Sequence, residues 1–421
     1  MPSAERQAGQ QRAPEAAAMA DRAAVAGFDL RHLSRAFLDD PFPMYRALRR
    51  YEPVRRMPDG SYFLTRYRDC AEVYRDHRRL SSEKKVEFKP KYGDSALYEH
   101  HTTSLVFNDP PLHTKVRRLL APVFTPRALE ALRPRVEELV DELLDRFEDR
   151  GEMDLIADFA AAIPIRLIGD ILGVPEDERE PLRDWSLRIL GALEPVLSEE
   201  QFAAGCRAVE DFKGYLRRLI DDRRRNPNPD DREILTKLIA AKEEDAFAEL
   251  ELLHNCIFLL NAGHETTTNL IGNGVDLLLR HPAALHELRA EPGLIRSAVE
   301  EFLRMESSNQ LGNRRAVEEV EIGGVGMPPG TLVTICIGAA NRDPEEFPEP
   351  DRLDLRREPN RHLAFATGIH ACAGMSLARM EGQVAIGRIV ARFPKLRRNG
   401  ELMRGGRARF RGFYSYPVAV G

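Results

Sequence analysis

Phe365-Ala-Thr-Gly-Ile-His-Ala-Cys-Ala-Gly-Met-Ser-Leu-Ala-Arg-Met-Glu381 is the stretch around which the rest of the chain reads. Cys372 sits in a loop of small residues just before an amphipathic segment carrying Met375, Leu377, Val384 and Ile389. A thiolate at that place faces the orphan amides at the start of the following helix, where the helix dipole favours an anion. The same setting is expected to lower the thiol pKa and make the sulfur a metal ligand. Gly368 and Gly374 remove side chains on either side, so a flat group fits against the backbone. Phe365 is placed to cover the buried side of that group. The competing reading of one such cysteine is a buried structural residue, a common fate of free cysteine.

The pattern of this stretch decides between the two. It resembles the haem-binding signature of the cytochromes P-450, Phe-x-x-Gly-x-His-x-Cys-x-Gly. Ala366 departs from the glycine usual after the phenylalanine. The resemblance implies Cys372 as axial ligand of the iron of haem b, iron protoporphyrin IX. It also implies Phe365, Gly368 and Gly374 as the packing around that bond.

Three further stretches follow the same family order. Asp109-Pro110-Pro111 opens a helix on which His113 and Arg117, four residues apart, share a face able to grip carboxylates. By itself this is a solvated basic face; by resemblance it binds the haem propionates. Arg314, with Arg315 as the alternative, and His370 are expected to join it. A long helical pattern runs from about Ala246 to Arg280 and stops at Pro282. At about 1.5 Å per residue it measures roughly 50 Å, enough to cross the molecule. In its middle, Ala262-Gly263-His264-Glu265-Thr266-Thr267 makes poor helix interior. Thr266 is expected to hydrogen-bond back to the Ala262 carbonyl and open a notch, with Ala262 and Gly263 leaving room for a flat cofactor. The resemblance makes this the oxygen-activation motif, with Thr266 holding dioxygen or its water and Glu265 relaying protons. Glu301 and Arg304 share a helix face three residues apart, ordinarily a surface pair. By resemblance they form a structural triad with Arg357, although Leu353 stands where phenylalanine is usual in that loop.

Composition agrees with an ordinary globular protein: 421 residues, 43% hydrophobic, 31% charged, net charge −5. No basic excess suggests nucleic acid. No run of about eighteen apolar residues suggests a membrane span. Five scattered cysteines without a CxxC fit a reducing cytoplasm, and membrane-free relatives in the family are typically bacterial. Residues 1–27 read as a disordered tail and 28–421 as one catalytic domain, mainly α with a small β region. Within it, Val54 to Tyr67 reads as a hairpin around Pro58-Asp59-Gly60, and Asp69 to Leu80 as a helix. Ser81 to Phe107 reads as a long irregular loop over a pocket; its His100-His101 pair is a poor metal site. Thr125-Pro126 caps a long helix, and Ser198-x-x-Gln201 is a capping box. Short strands are expected at Val320–Ile322 and Thr331–Ile337.

Together these readings predict a haem-thiolate monooxygenase that inserts one atom of O2 into a small, largely apolar organic substrate, by hydroxylation or oxidative dealkylation. No flavin or nicotinamide module is expected to be fused to the domain. Electrons are therefore expected from a separate ferredoxin and ferredoxin reductase, with Lys115, Arg118 and Arg361 as a docking face or ordinary surface charge. A peroxygenase would lack the Glu265-Thr266 pair, and a non-catalytic haem sensor would not need it. A zinc site built from His362, His370 and Cys372 lacks a fourth ligand. Substrate contacts are expected from the Ser81–Phe107 segment, Trp185 to Phe212, the Ala262 region, Leu311 and Phe413. The lysines Lys84, Lys85, Lys89 and Lys91 attract a carboxylate or simply face water.

Overall fold

The computed structural model describes residues 19–227, 234–239 and 248–421. Its axis is the helix Glu249–Arg280, 32 residues long and buried along most of its length. Residues 240–247, which include the expected start at Ala246, lie outside the described residues. The first turn is closed by Glu251, whose Oε2 accepts the Ala248 amide at 3.2 Å. The last ends where Pro282 begins the helix Pro282–Ala290.

Helices pack around this axis on every side: Ala162–Leu172, Glu180–Gly191, Glu199–Arg225, Ile295–Met305 and Met375–Arg392. Gly274 permits one of these approaches, because a Cβ there would lie 2.6 Å from Ile386 Cδ1 and 2.9 Å from Phe302 Cδ2. Both predicted caps form. Thr125 Oγ1 accepts the Ala128 amide at 3.3 Å at the head of Pro126–Glu148. Ser198 and Gln201 exchange side-chain-to-backbone bonds of 3.1 and 2.9 Å.

The β region is a five-stranded sheet in the order Val54–Arg56, Tyr62–Leu64, Leu332–Cys336, Leu311–Ala316, Leu80–Ser81. The first pair is the predicted hairpin, turned at Gly60 with φ +85°. The strand Leu311–Ala316 was not expected; its polar centre, Gly-Asn-Arg-Arg, gives no strand signal. It is held by antiparallel pairing to Leu332–Cys336, and it carries Arg314 within the sheet rather than before it. The helix expected to run to Leu80 ends at Arg75, and Leu80–Ser81 pairs with Ala316 and Arg315.

Two further expectations change. Ser81 to Phe107 is not an irregular loop but two short helices, Lys85–Tyr92 and Ala96–Thr103, and a turn at Leu105–Phe107. Gly93, with φ +60°, ends the first, and Ser95 caps the second by accepting the Tyr98 amide at 3.3 Å. The residues that look like loop markers are helix ends. Residues 19–26 are helical, and Val25 packs in the same cluster as Phe28 and Phe37, so the ordered core begins before Phe28. Residues 1–18 lie outside the described residues. Among the described residues no helix is long and apolar enough to cross a membrane.

Candidate active site

Cys372 lies between a turn at Gly368–His370 and the helix Met375–Arg392. Its amide donates to the Phe365 carbonyl at 2.9 Å, closing the loop into a tight bend. Two residues of that bend have left-handed backbone, Ala366 at φ +54° and Gly368 at φ +76°. A Cβ at Gly368 would lie 2.6 Å from the Tyr74 carbonyl oxygen, so a neighbouring backbone already requires this glycine. At Gly374 the nearest atom is Phe124 Cε1 at 3.7 Å; no protein atom demands a glycine there.

The loop is tied down from outside. Arg379 lies 4.8 Å from the Phe365 ring centroid and donates to both oxygens of Glu300 at 2.7 and 2.8 Å. Glu300 Oε2 also lies 3.2 Å from His362 Nε2. That engagement removes His362 from the zinc reading, and no group of three potential metal ligands occurs among the described residues. The Cys372 thiol is not acidified as the sequence suggests. Burial pushes its pKa up, only partly opposed by the Gly374 amide, Arg117 and Arg379. Apolar surroundings outweigh the helix start.

His113, Arg117, Arg314 and His370 come from a helix, a strand and a turn, yet they meet beside Cys372. The rings of His113 and His370 are 4.3 Å apart, and the Nε2 atoms of both are buried without a hydrogen-bond partner. Burial, His370 and Arg117 lower the His113 pKa to about 4. Arg314 is 7% exposed, rests 5.3 Å from the Tyr74 ring centroid and, among the described residues, donates only to the Asn313 carbonyl. Neither Arg117 nor Arg314 has a carboxylate within ion-pair distance among the described residues. The alternative, Arg315, sits one position along the strand, facing the other side of the sheet. Asp109, read from the sequence only as part of a helix start, lies 3.6 Å from His370 Nε2. Against the effect of burial, His370, Ser81 and the Ser82 amide hold its pKa down to about 2.

On the central helix, Thr266 Oγ1 donates to the Ala262 carbonyl at 2.7 Å, as predicted. The helix nevertheless stays continuous through this point, so no notch opens in the backbone. Ala262 is exposed and Thr266 partly so, although Asn261, His264, Glu265 and Thr267 are buried. Open interior space therefore borders the Ala262–Thr266 face. Gly263 does not add to it: a Cβ there would lie 2.8 Å from Ile168 Cδ1. Glu265 points elsewhere, its Oε1 accepting from Arg407 Nη1 at 2.5 Å. Burial raises the Glu265 pKa, and Arg407 opposes the rise.

Glu301, Arg304 and Arg357 meet in the interior. Arg304 donates to both Glu301 oxygens at 2.8 Å, with each side chain 0% exposed. Arg357 Nε reaches Glu301 Oε2 at 3.1 Å. Asn360 and the Asp354 amide add bonds of 3.1 and 3.0 Å that no spacing rule reveals. Arg304 also binds the carbonyls of Asn341 and Pro350, fixing the loop that leads to the cysteine. Of the expected pocket walls, Leu311 and Phe413 are packed in the core. Of the four lysines, Lys84 is buried against Glu87, and Lys91 donates to the Ala192 and Glu194 carbonyls. Lys115, expected on a docking face, pairs with Glu251 at 2.9 Å.

The cytochrome P450 family model matches residues 44–399. The chain belongs to the cytochrome P450 family. It is 40% identical over 390 residues to cytochrome P450 107B1 of Saccharopolyspora erythraea, covering 88% of this chain and 91% of that one. It is also 40% identical to a vitamin D(3) 25-hydroxylase of Pseudonocardia autotrophica, covering 86% and 89%. Among solved structures, P450BioI in complex with a fatty-acyl acyl carrier protein superposes with a TM-score of 0.87 at 35% identity, covering 92% of this chain and all of that one. The protein is thus a haem-thiolate monooxygenase, an oxidoreductase that takes haem b, O2, an organic substrate and electrons from a redox partner. The peroxygenase and sensor readings are not favoured.

The residues present fit haem b. Beside the cysteine loop, two buried imidazole nitrogens lack hydrogen bonds, one of them facing Asp109 at 3.6 Å, and two arginines have no carboxylate within ion-pair distance among the described residues, a set that leaves room for anionic groups. Ala262 and Thr266 give the central helix a face of short side chains that is not covered by protein atoms, and Cys372 is likewise not fully covered.

Proposed function

We propose that this P450 hydroxylates or oxidatively dealkylates a small, largely apolar organic molecule, with Cys372 as the axial ligand of its haem. The convergence of His113, Arg117, Arg314 and His370, with Asp109 as the one carboxylate beside them and neither arginine ion-paired among the described residues, carries this reading. These four hold the two propionates, while Phe365, Gly368 and Gly374 shape the loop that presents the sulfur. Held by the Cys372 thiolate, haem would supply an iron centre whose sulfur ligand favours O–O cleavage.

The chain's own contribution is positioning and protons. Ala262 leaves the central helix low enough for a flat group to approach. Thr266 holds a proton at Oγ1, anchored by its bond to the Ala262 carbonyl, and Ser308 fixes the Thr266 carbonyl at 2.7 Å. Glu265 takes up protons on the far side of the helix and returns them toward Thr266. The triad Glu301, Arg304 and Arg357 keeps the cysteine loop in place without touching the chemistry. Residues from the first core helix to the C-terminus act as one catalytic domain, supported by a sheet that joins Val54 to Cys336. The electron donor is an iron–sulfur ferredoxin with its reductase, and the compartment is the cytoplasm, in keeping with five cysteines that form no disulfide. Similarity to a vitamin D(3) hydroxylase supports an apolar substrate.

Thr266→Ala tests the proton assignment. Reductant consumption should continue while product per reductant falls, by up to about a hundred-fold, the lower end of what general acid catalysis contributes. Coupling at the parental level would contradict it.

A further inference from the structure

Glu265 leans on a residue far from its own helix. Its Oε1 is paired with Arg407, while Oε2 is buried without a partner. Arg407 lies between the short strands Met403–Arg404 and Phe413–Ser415. Its second terminal nitrogen donates to the Leu187 carbonyl at 3.2 Å, near the end of the helix Glu180–Gly191. The backbone carrying Arg407 is held in turn by Glu194, whose carboxylate accepts the amides of Ala408 and Arg409 at 2.9 and 3.1 Å. The guanidinium therefore has fixed partners on two segments, and the backbone next to it is held by a third. It also lines a cleft of about 690 Å³, with Gly191, Glu194 and Tyr414 around it and the exposed His32 and Glu200 toward the outside. One side chain thus touches both the buried acid and the cleft.

We propose that Arg407 is a positioning residue for oxygen activation, holding the Glu265 carboxylate toward this cleft as the entry point for protons. The proposal rests on Glu265 being the proton relay. A carboxylate this deep stays ionised only beside an opposite charge, and a rigid guanidinium with a second fixed partner gives that charge a fixed place. In each turn of the relay, Glu265 accepts one proton from water in the cleft and passes one proton on toward Thr266, which regenerates the carboxylate. The other charged or titratable groups around the pair are Glu194 and Tyr414, beside Arg407, and Arg183, which faces the neighbouring His264.

The test uses purified holoenzyme with its reductase system and four variants: Arg407→Gln, Arg407→Lys, Glu265→Gln and the double Arg407→Gln/Glu265→Gln. Product per reductant is measured against pH. Arg407→Gln should move the Glu265 midpoint up by about one to three units, the effect of losing an adjacent cation. Arg407→Lys should restore it to near the parental value. Glu265→Gln should abolish the midpoint, and Arg407→Gln should add nothing to that variant. Thermal unfolding of the same set supplies a readout independent of turnover: the two single substitutions should be non-additive in Tm. An unmoved midpoint in Arg407→Gln, a lysine variant that behaves like glutamine, or additive Tm shifts would overturn the role of Arg407 while leaving the relay intact. A parental profile in Glu265→Gln would instead overturn the relay itself.

Discussion

The two sides of the central helix are held by different chemistry. On the cysteine side, Glu301, Arg304, Arg357, Asn360 and the Asp354 amide close a network within one part of the chain. Glu300, Arg379 and His362 form a second one beside it. On the opposite side the pairings span long separations. His100 Nδ1 meets His254 Nδ1 at 3.2 Å, His254 reaches Glu99, and Arg407 reaches Glu265. Several polar atoms there stay unmatched, among them His101 Nε2, His264 Nε2 and Glu265 Oε2. The contrast teaches that the ligand loop is fixed by carboxylates that each bind several partners, whereas the pairings on the other side join distant segments one contact at a time.

The largest test of the contrast is Arg304→Ala. Removing one partner of a fully buried pair should destabilise by about 3–5 kcal/mol, read by denaturant unfolding. A loss under about 1 kcal/mol would mean that the pair behaves like a surface one. Glu381 sharpens the comparison, because it lies on the cysteine-side helix yet has no partner for Oε1, and burial pushes its pKa up to about 8. The folded state then holds a proton that the unfolded chain has lost between pH about 4.5 and 8. Stability therefore falls with rising pH across that window, by at most about 1.4 kcal/mol per unit. Glu381→Gln should remove this slope and gain up to about 4 kcal/mol at pH 8. Identical pH dependence in parent and variant would show that Glu381 is matched after all. The smallest effect is at Ala366. Its left-handed backbone is unfavourable for any residue with a Cβ, so Ala366→Gly should raise stability by about 0.5–1 kcal/mol, net of the added freedom of the unfolded chain. A lower Tm would contradict that reading.

What could be read from the sequence divides along the same line. Thr266 to Ala262, Ser198 to Gln201 and Glu301 to Arg304 are contacts within a few residues, and helix geometry makes them visible from spacing alone. The cysteine loop was legible because a cofactor demands several residue types at fixed spacing. Its backbone reasons were not: Gly368 answers to the Tyr74 carbonyl, and the thiol pKa answers to burial. The strand Leu311–Ala316 escaped because its pairing partner, not its composition, makes it a strand. Arg407 and Glu265 are 142 positions apart, and no local pattern joins them. Gly263 shows the opposite error, since the room expected beside this small residue is filled by Ile168.

The most direct measurement of the central claim is the absorption spectrum of the reduced, carbon monoxide-treated protein, for the parent and for Cys372→Ala. The parent should show the long-wavelength Soret band of thiolate-ligated haem, and the variant should lose it. A parent without that band, or a variant that keeps it, would contradict the assignment of sulfur 372 to the iron.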